Sequence, residues 1–236
     1  MQLGIKPIKA SESFLQQQRL VNDVSHELRT PLTIIRGYID LLESCGTSDP
    51  DLFKEAVTSI KKSAQNMQSL VESLLFLARA DQGHQPLMKV PVDLDELLKK
   101  FVESYRSPRV QLTKLAPCKI LADAEFFKKM LAAFLDNALR YSPPDTAVKV
   151  ELTTSTDAAT LKFIDKGVGI PKEDCEKIFD RFYRTDKART KLGDGESSVG
   201  LGLTVAKWIA DRHDIDIKVK SKLGEGSTFT LIIPTI

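Results

Sequence analysis

The sequence predicts two folds in tandem. An α-helical hairpin pairs with a second copy as a dimeric four-helix bundle, and an α+β sandwich with helices on one face of a mixed sheet follows it. Three observations predict this. Residues 1–85 carry apolar residues at heptad spacing and no convincing strand pattern. Residues 86–236 mix short alternating stretches with helical ones. Pro86 and Pro91 punctuate the change. The bounds read as a connector over 1–10, a dimerisation hairpin over 11–85, a linker over 86–91 and a second domain over 92–236.

The elements follow in order. Ser13 and Gln16 have the spacing of a capping box and predict the start of a long helix. Val21, Leu28, Ile35 and Leu42 form one line of its seam, Val24 and Tyr38 the other. Gly46 after Cys45 predicts its end. Asp49-Pro50 then reads as an N-cap and first-turn proline. The second helix has a seam of Val57, Ile60, Ala64, Met67, Val71, Leu74 and Ala78, and it fades at Gly83. Two helices alone cannot enclose a core, which is why a homodimer is expected. In the second part, Asp93-x-x-Glu96 predicts a capped helix to about Tyr105. Val110–Leu115 and Lys119–Leu121 read as short strands. Asp123 caps a strong helix to Tyr141 that Pro143-Pro144 ends. Val148–Thr154 and Ala159–Asp165 alternate as strands. Residues 165–199 are rich in glycine and charge, a helix follows from Leu201 to about Arg212, and strands Ile215–Ser221 and Ser227–Ile233 flank Gly224-Glu225-Gly226.

Composition narrows the function. The chain has 236 residues, 42% hydrophobic and 28% charged, which excludes a fully disordered protein. A net charge of +2 with no dense Lys/Arg run gives no case for a nucleic-acid partner. Cys45, Cys118 and Cys175 are far apart and form no C-x-x-C pair, so a reducing compartment is expected rather than a disulfide framework or zinc site. No apolar run approaches a bilayer span, and MQLGIKPIKA lacks a signal peptide's apolar centre. The chain as given reads as soluble and intracellular, and as a possible portion of something larger.

Four constellations carry chemistry. His26 falls at the outermost heptad position, with Glu27 beside it, Thr30 one turn on and Pro31 interrupting the helix's bonds. A neutral imidazole is a competent nucleophile and a carboxylate can hold its other nitrogen; an ordinary solvated histidine is the plain alternative. Asn137, Arg140 and Tyr141 share one helix face at i, i+3, i+4, which suits a magnesium-bound nucleotide or, equally, a polar helix end. Asp165-Lys166-Gly167-Val168-Gly169 puts a carboxylate beside backbone that a ligand can approach closely, or makes a plain turn. Gly200-Leu201-Gly202-Leu203 opens a helix whose free N–H groups suit an anion, or simply eases the chain into that helix.

Taken in order, these segments resemble the sensor histidine kinases of two-component systems. Ser25-His26-Glu27-Leu28-Arg29-Thr30-Pro31-Leu32 resembles the family's H-box, and Leu135–Ser142, with Asn137 at its centre, its N-box. Asp165–Pro171 is similar to the first glycine box, Ile178–Arg184 to the aromatic F-box, Gly200–Leu203 to the second glycine box, and Gly224–Phe229 to the closing hairpin. The match covers nearly the whole chain. It implies the histidine-kinase/gyrase-type ATP-binding fold, with ATP and Mg²⁺ as cofactors. It also implies autophosphorylation on His26, transfer to an aspartate of a response regulator, and phosphatase activity toward that regulator. His26 is then the phospho-acceptor, Glu27 its acid/base partner, and Thr30 the residue that positions water. Asn137 ligates Mg²⁺, Arg140 and Arg184 contact phosphates, Tyr141 packs by the adenine, and Asp165 accepts from its amino group. Gly167, Gly169, Gly200 and Gly202 shape the pocket and a lid over 172–199, and Ile170, Leu201, Leu203 and Thr228 complete the ATP-binding set. The family also implies membrane anchoring, with this chain as its cytoplasmic portion and residues 1–10 as a truncated connector. Three positions depart from the pattern: Ala133 for a second Asn, Lys166 for Asn, and Ser198 for the first glycine of the second run. Two rival readings stand beside this one. A gyrase- or chaperone-like ATPase needs a general-base Glu where Ala133 stands. A non-catalytic scaffold would bind nucleotide only as a signal.

Overall fold

The structure is a computed structural model, and it describes residues 8–45, 49–185 and 200–236. They fall into two compact units that divide between Glu72 and Ser73.

The first unit holds helix α1 (Ile8–Cys45) and most of α2 (Pro50–Asp81). Helix α1 starts at Ile8, so Ser13 lies inside it and the Ser13–Gln16 pair does not begin it. Asp49 caps α2 as expected: its Oδ1 accepts from the N–H groups of Asp51 (3.0 Å) and Leu52 (3.2 Å). At the other end Gly83, at φ 69°, and His84 close the helix by donating to the carbonyls of Ala80 (3.1 Å) and Arg79 (3.0 Å). The Tyr38 hydroxyl donates to Glu55 at 3.0 Å and ties the two helices together. Within the first unit the single hairpin buries Ala56, Ser63 and Leu70 of α2, and it leaves exposed the neighbouring Val57, Ala64 and Val71 of the seam expected to meet a second copy. A bundle helix carries apolar side chains over two contact faces, and heptad spacing counts them as one.

The second unit begins with the last turns of α2, where the Phe76 ring meets Trp208 edge-on at 5.0 Å and Phe126 at 5.7 Å. Strand β1 (Val90–Asp93), absent from the sequence reading, pairs antiparallel with β3 (Lys119–Ala122). Helix α3 (Leu94–Ser104) follows without the expected capping box. The Asp93 carboxylate pairs with Lys119 at 3.0 Å instead. Strands β2 (Val110–Leu115), β4 (Val148–Thr154), β5 (Ala158–Ile164), β6 (Asp216–Lys222) and β7 (Gly226–Pro234) form a sheet in the order β2-β4-β5-β7-β6. The β2–β4 pair is parallel and the others antiparallel. Alternate residues of β4, β5 and β7 are buried, so one face takes the helices α4 (Ala124–Tyr141) and α5 (Gly202–Arg212). Between these layers Phe134 stacks on Phe163 (5.7 Å) and leans on Phe229 (5.4 Å).

His213, at the end of α5, is buried, and its Nε2 accepts from the Asp123 N–H at 3.0 Å. Only a neutral ring accepts there, so Nδ1 carries the proton that goes to the Ile209 carbonyl at 2.8 Å. Among the described residues no helix is long and apolar enough to cross a membrane.

Candidate functional site

The histidine constellation lies on α1. The His26 ring is exposed, and Glu27 and Thr30 are half-buried. Pro31 inside the helix has no N–H to give the Glu27 carbonyl. On either side the backbone is engaged by side chains: Ser25 Oγ donates to Val21 O at 2.7 Å and Thr33 Oγ1 to Arg29 O at 2.9 Å. An accessible imidazole therefore stands on the solvent side of a long helix, next to a carboxylate.

The second constellation is assembled by the α4–sheet sandwich. Asp165 leaves β5 and is buried. Its Oδ1 accepts from Gly167 N–H at 2.7 Å and Ser227 N–H at 3.1 Å. Burial pushes its carboxyl above the ordinary carboxylate range, and those two N–H groups draw it partly back. The loop that follows is sewn to the β6–β7 hairpin. Gly224 N–H donates to Val168 O at 2.9 Å, and Ile170 N–H to Ser221 Oγ at 2.8 Å. Gly169 sits at φ 71°, and a Cβ there would meet the Lys222 carbonyl oxygen at 2.1 Å, so only glycine fits. A Cβ on Gly167 would strike both Asp165 Oδ1 and the Tyr141 carbonyl at 2.8 Å. That contact places the end of α4 against the Asp165 loop.

On α4, Asn137 is half-buried and its side chain makes no hydrogen bond to another described residue. Its neighbour Asp136 is engaged elsewhere, accepting from the Tyr105 hydroxyl at 2.8 Å. Arg140 is exposed and Tyr141 half-buried. Gly202 opens α5 opposite α4: a Cβ there would meet nothing nearer than the Ala133 methyl at 3.9 Å. Among the described residues packing does not demand glycine at that position, and the helix end offers free N–H groups to an anion. Leu201 is buried and Leu203 half-buried beside it, and Thr228 lies on β7 opposite Ile164, one residue from Asp165. Of the lid expected over 172–199, residues 186–199, including Ser198, lie outside the described residues. Its flanks meet: Phe182 N–H donates to Gly200 O at 3.1 Å, with Arg184 half-buried close by in sequence. His26, Glu27 and Thr30 belong to the first unit and the nucleotide set to the second.

Several contributors escaped the sequence reading. Ser221 and Ser227 share a hydrogen bond of 2.9 Å and anchor the glycine loop, but isolated serines carry no spacing signal. The hydroxyls of Ser142 and Thr204 are buried with no partner among the described residues, each one residue beyond an expected ATP contact. A cavity of about 200 Å³ lies beside His213, walled by Ile120, Phe127, Ile215 and Ile233. It includes none of the expected site residues, and the charged groups on its wall, Lys89 and Asp214, are paired with each other at 3.5 Å.

These features fit a nucleotide. A buried carboxylate is fixed at the loop, and the Ser142 and Thr204 hydroxyls are buried with no hydrogen-bond partner among the described residues, which leaves polar groups that a polar ligand can satisfy. Among the described residues no three His, Cys, Asp or Glu side chains converge to hold a metal alone. A magnesium ion would take phosphate oxygens and water among its ligands, and Asn137 is the side chain here that could add a protein ligand.

Comparison with known proteins agrees. Residues 16–83 match the His Kinase A (phospho-acceptor) domain, and residues 122–236 match the Histidine kinase-, DNA gyrase B-, and HSP90-like ATPase. The chain belongs to the sensor histidine kinases of two-component systems. It is similar to Sensor histidine kinase YkoH of Bacillus subtilis, at 37% identity over 93% of this chain and 48% of that protein. The chain thus spans about half the length of the curated relatives it matches. Among solved structures, a histidine kinase of Acinetobacter baumannii, AdeS, is 26% identical over 89% of this chain and 97% of that one, with a TM-score of 0.64. Histidine kinase ThkA, solved in complex with response regulator protein TrrA, has the same fold with a TM-score of 0.70, at 22% identity over 97% of this chain and 64% of that one.

Proposed function

We propose that this chain phosphorylates itself on His26 from ATP and passes the phosphoryl group to an aspartate of a response regulator. The observation that carries the reading is one chain holding both an exposed His26 beside Glu27 and a cradle built round the Asp165 carboxylate. In this reading Asp165 accepts from the adenine amino group, and Tyr141 packs by the base. Arg140 and Arg184 neutralise phosphate charge. The amide oxygen of Asn137 ligates Mg²⁺, which when bound offsets the charge that develops on the phosphates. Gly167, Gly169, Gly200 and Gly202, with Ile170, Leu201, Leu203 and Thr228, let backbone and small side chains close on the ligand. Glu27 takes the proton of the imidazole as the other ring nitrogen forms its bond to phosphorus and the bond to the ADP oxygen breaks. Such transfer needs positioning and charge neutralisation more than covalent help, so the two units must meet.

The reading extends to partners. A homodimer is supported by the apolar residues the single hairpin leaves exposed, and a response regulator by the complex in which ThkA was solved. Thr30 positions water for removing phosphate from that regulator. The full-length protein is membrane-anchored, with this chain on the cytoplasmic side; relatives about twice as long are consistent with further segments.

Incubation with γ-labelled ATP and Mg²⁺ tests the reading. The expected label survives alkali, is lost in acid and is absent from His26→Ala. Label that persists in His26→Ala, or ATP binding without any label, overturns it.

A further inference from the structure

We propose that Arg109 is a positioning residue for nucleotide binding, acting as a side-chain cap on the C-terminus of α4. The inference rests on the nucleotide reading above. Helix α4 ends at Tyr141 and runs into Ser142-Pro143-Pro144. A helix leaves its last carbonyls without intrahelical donors, and N–H groups just beyond the end commonly satisfy them. Two consecutive prolines have no N–H to give.

Arg109, in the turn before β2, supplies donors there, while the Thr146 N–H (3.1 Å) and hydroxyl (2.8 Å) also reach the Pro143 carbonyl. Its Nη2 donates to the carbonyls of Pro143 (2.9 Å), Leu139 (3.2 Å) and Ser142 (3.4 Å), and its Nε to that of Thr146 (3.1 Å). The fork is held from a rigid place, because the Arg109 carbonyl accepts from Val148 N–H at 2.7 Å where β2 meets β4. A cation at this end also complements the helix dipole. An ammonium cannot reproduce the planar fork.

The capped carbonyls bracket Arg140 and Tyr141. The Tyr141 carbonyl in turn accepts from Val168 N–H at 3.3 Å and abuts Gly167, so the last turn of α4 also seats the Asp165 loop. Asn137 lies a turn earlier, inside the helix's own hydrogen bonding. Loss of the cap therefore frays the part of the site that grips adenine and phosphate, and leaves the acceptor histidine unchanged.

The test compares the parent chain with Arg109→Lys and Arg109→Ala, reading thermal midpoint, ATP binding and autophosphorylation across ATP concentrations. The expected result for Arg109→Ala is a KM for ATP raised about tenfold, with kcat at saturation within about twofold of the parent. Arg109→Lys should fall between the two, with its midpoint near the parent's. A folded Arg109→Ala with parental KM, or a loss confined to kcat, overturns the proposal. If Arg109→Ala does not fold, Arg109→Lys decides: a raised KM upholds the positioning role and a parental KM overturns it. Failure of the nucleotide reading is visible separately, as a parent chain that binds no ATP.

Discussion

Asp165 shows how one side chain is prepared by its surroundings. Its Oδ1 is held by two backbone N–H groups, so the carboxylate is fixed against the glycine loop and the start of β7. Burial raises its proton affinity at the same time. Asparagine in its place keeps an oxygen for Gly167 and Ser227 but turns an acceptor into a donor toward an adenine amino group. Asp165→Asn is expected to weaken ATP binding roughly 10- to 100-fold, the range of a charged hydrogen bond, with little change in thermal midpoint. Equilibrium binding with a fluorescent ATP analogue checks this. Unchanged affinity would remove Asp165 from the base-recognition role.

Elements are joined by His213, which ties the end of α5 to the start of α4. Its ring must be neutral to accept from Asp123 N–H. Burial is the first cause that holds its pKa below the ordinary histidine value, and the charge of Lys89 adds to it. The Ile209 carbonyl, Asp123 and Asp214 oppose both. A group with a depressed pKa binds fewer protons folded than unfolded. It therefore contributes stability above the unfolded value of about 6.5, and that stability is lost as pH falls through the folded value. Asp165 and Asp136, whose pKa values are raised, act with the opposite sign at lower pH. The thermal midpoint is expected to fall on acidification from pH 7 to pH 5.5, and His213→Gln should flatten that slope while lowering the midpoint at pH 7. A parental slope in His213→Gln would show that other groups set it.

At the scale of the whole molecule, the hairpin's unmet surface is the informative feature. Val21 is 59% exposed, Val57 45%, Val71 44% and Ile39 42% in the single chain. Apolar side chains in such lines on a helical pair mark a face that another pair covers. Placing glutamates at Val57 and Val71 together is expected to halve the mass seen in sedimentation while leaving ATP affinity unchanged, since neither residue belongs to the unit that carries the nucleotide set. A parent chain that sediments as a monomer at tens of micromolar would refute the dimer.

Most of the elements were legible in the sequence because their signals are local. Asp49-Pro50, Asp123 and the prolines after Tyr141 act within a few residues, and heptad spacing marks a helix wherever it packs. The order of the His26, Asn137, Asp165 and Gly200 segments likewise pointed to the family before any geometry was known. Contacts between distant residues were not legible. Nothing near Arg109 announces that its guanidinium ends a helix 30 residues away. Nor does the sequence around His213 show that Asp123 needs a neutral acceptor there. Strand β1 was missed because its pairing with β3, not its own composition, makes it a strand. The sequence by itself determined which segments are helices and strands and which family they assemble into, since those follow from short-range sterics and periodicity. Tertiary structure alone decided which face of α2 is buried, which protonation state His213 holds and which side chain closes α4. Each of these depends on a partner that folding, not chain order, brings alongside.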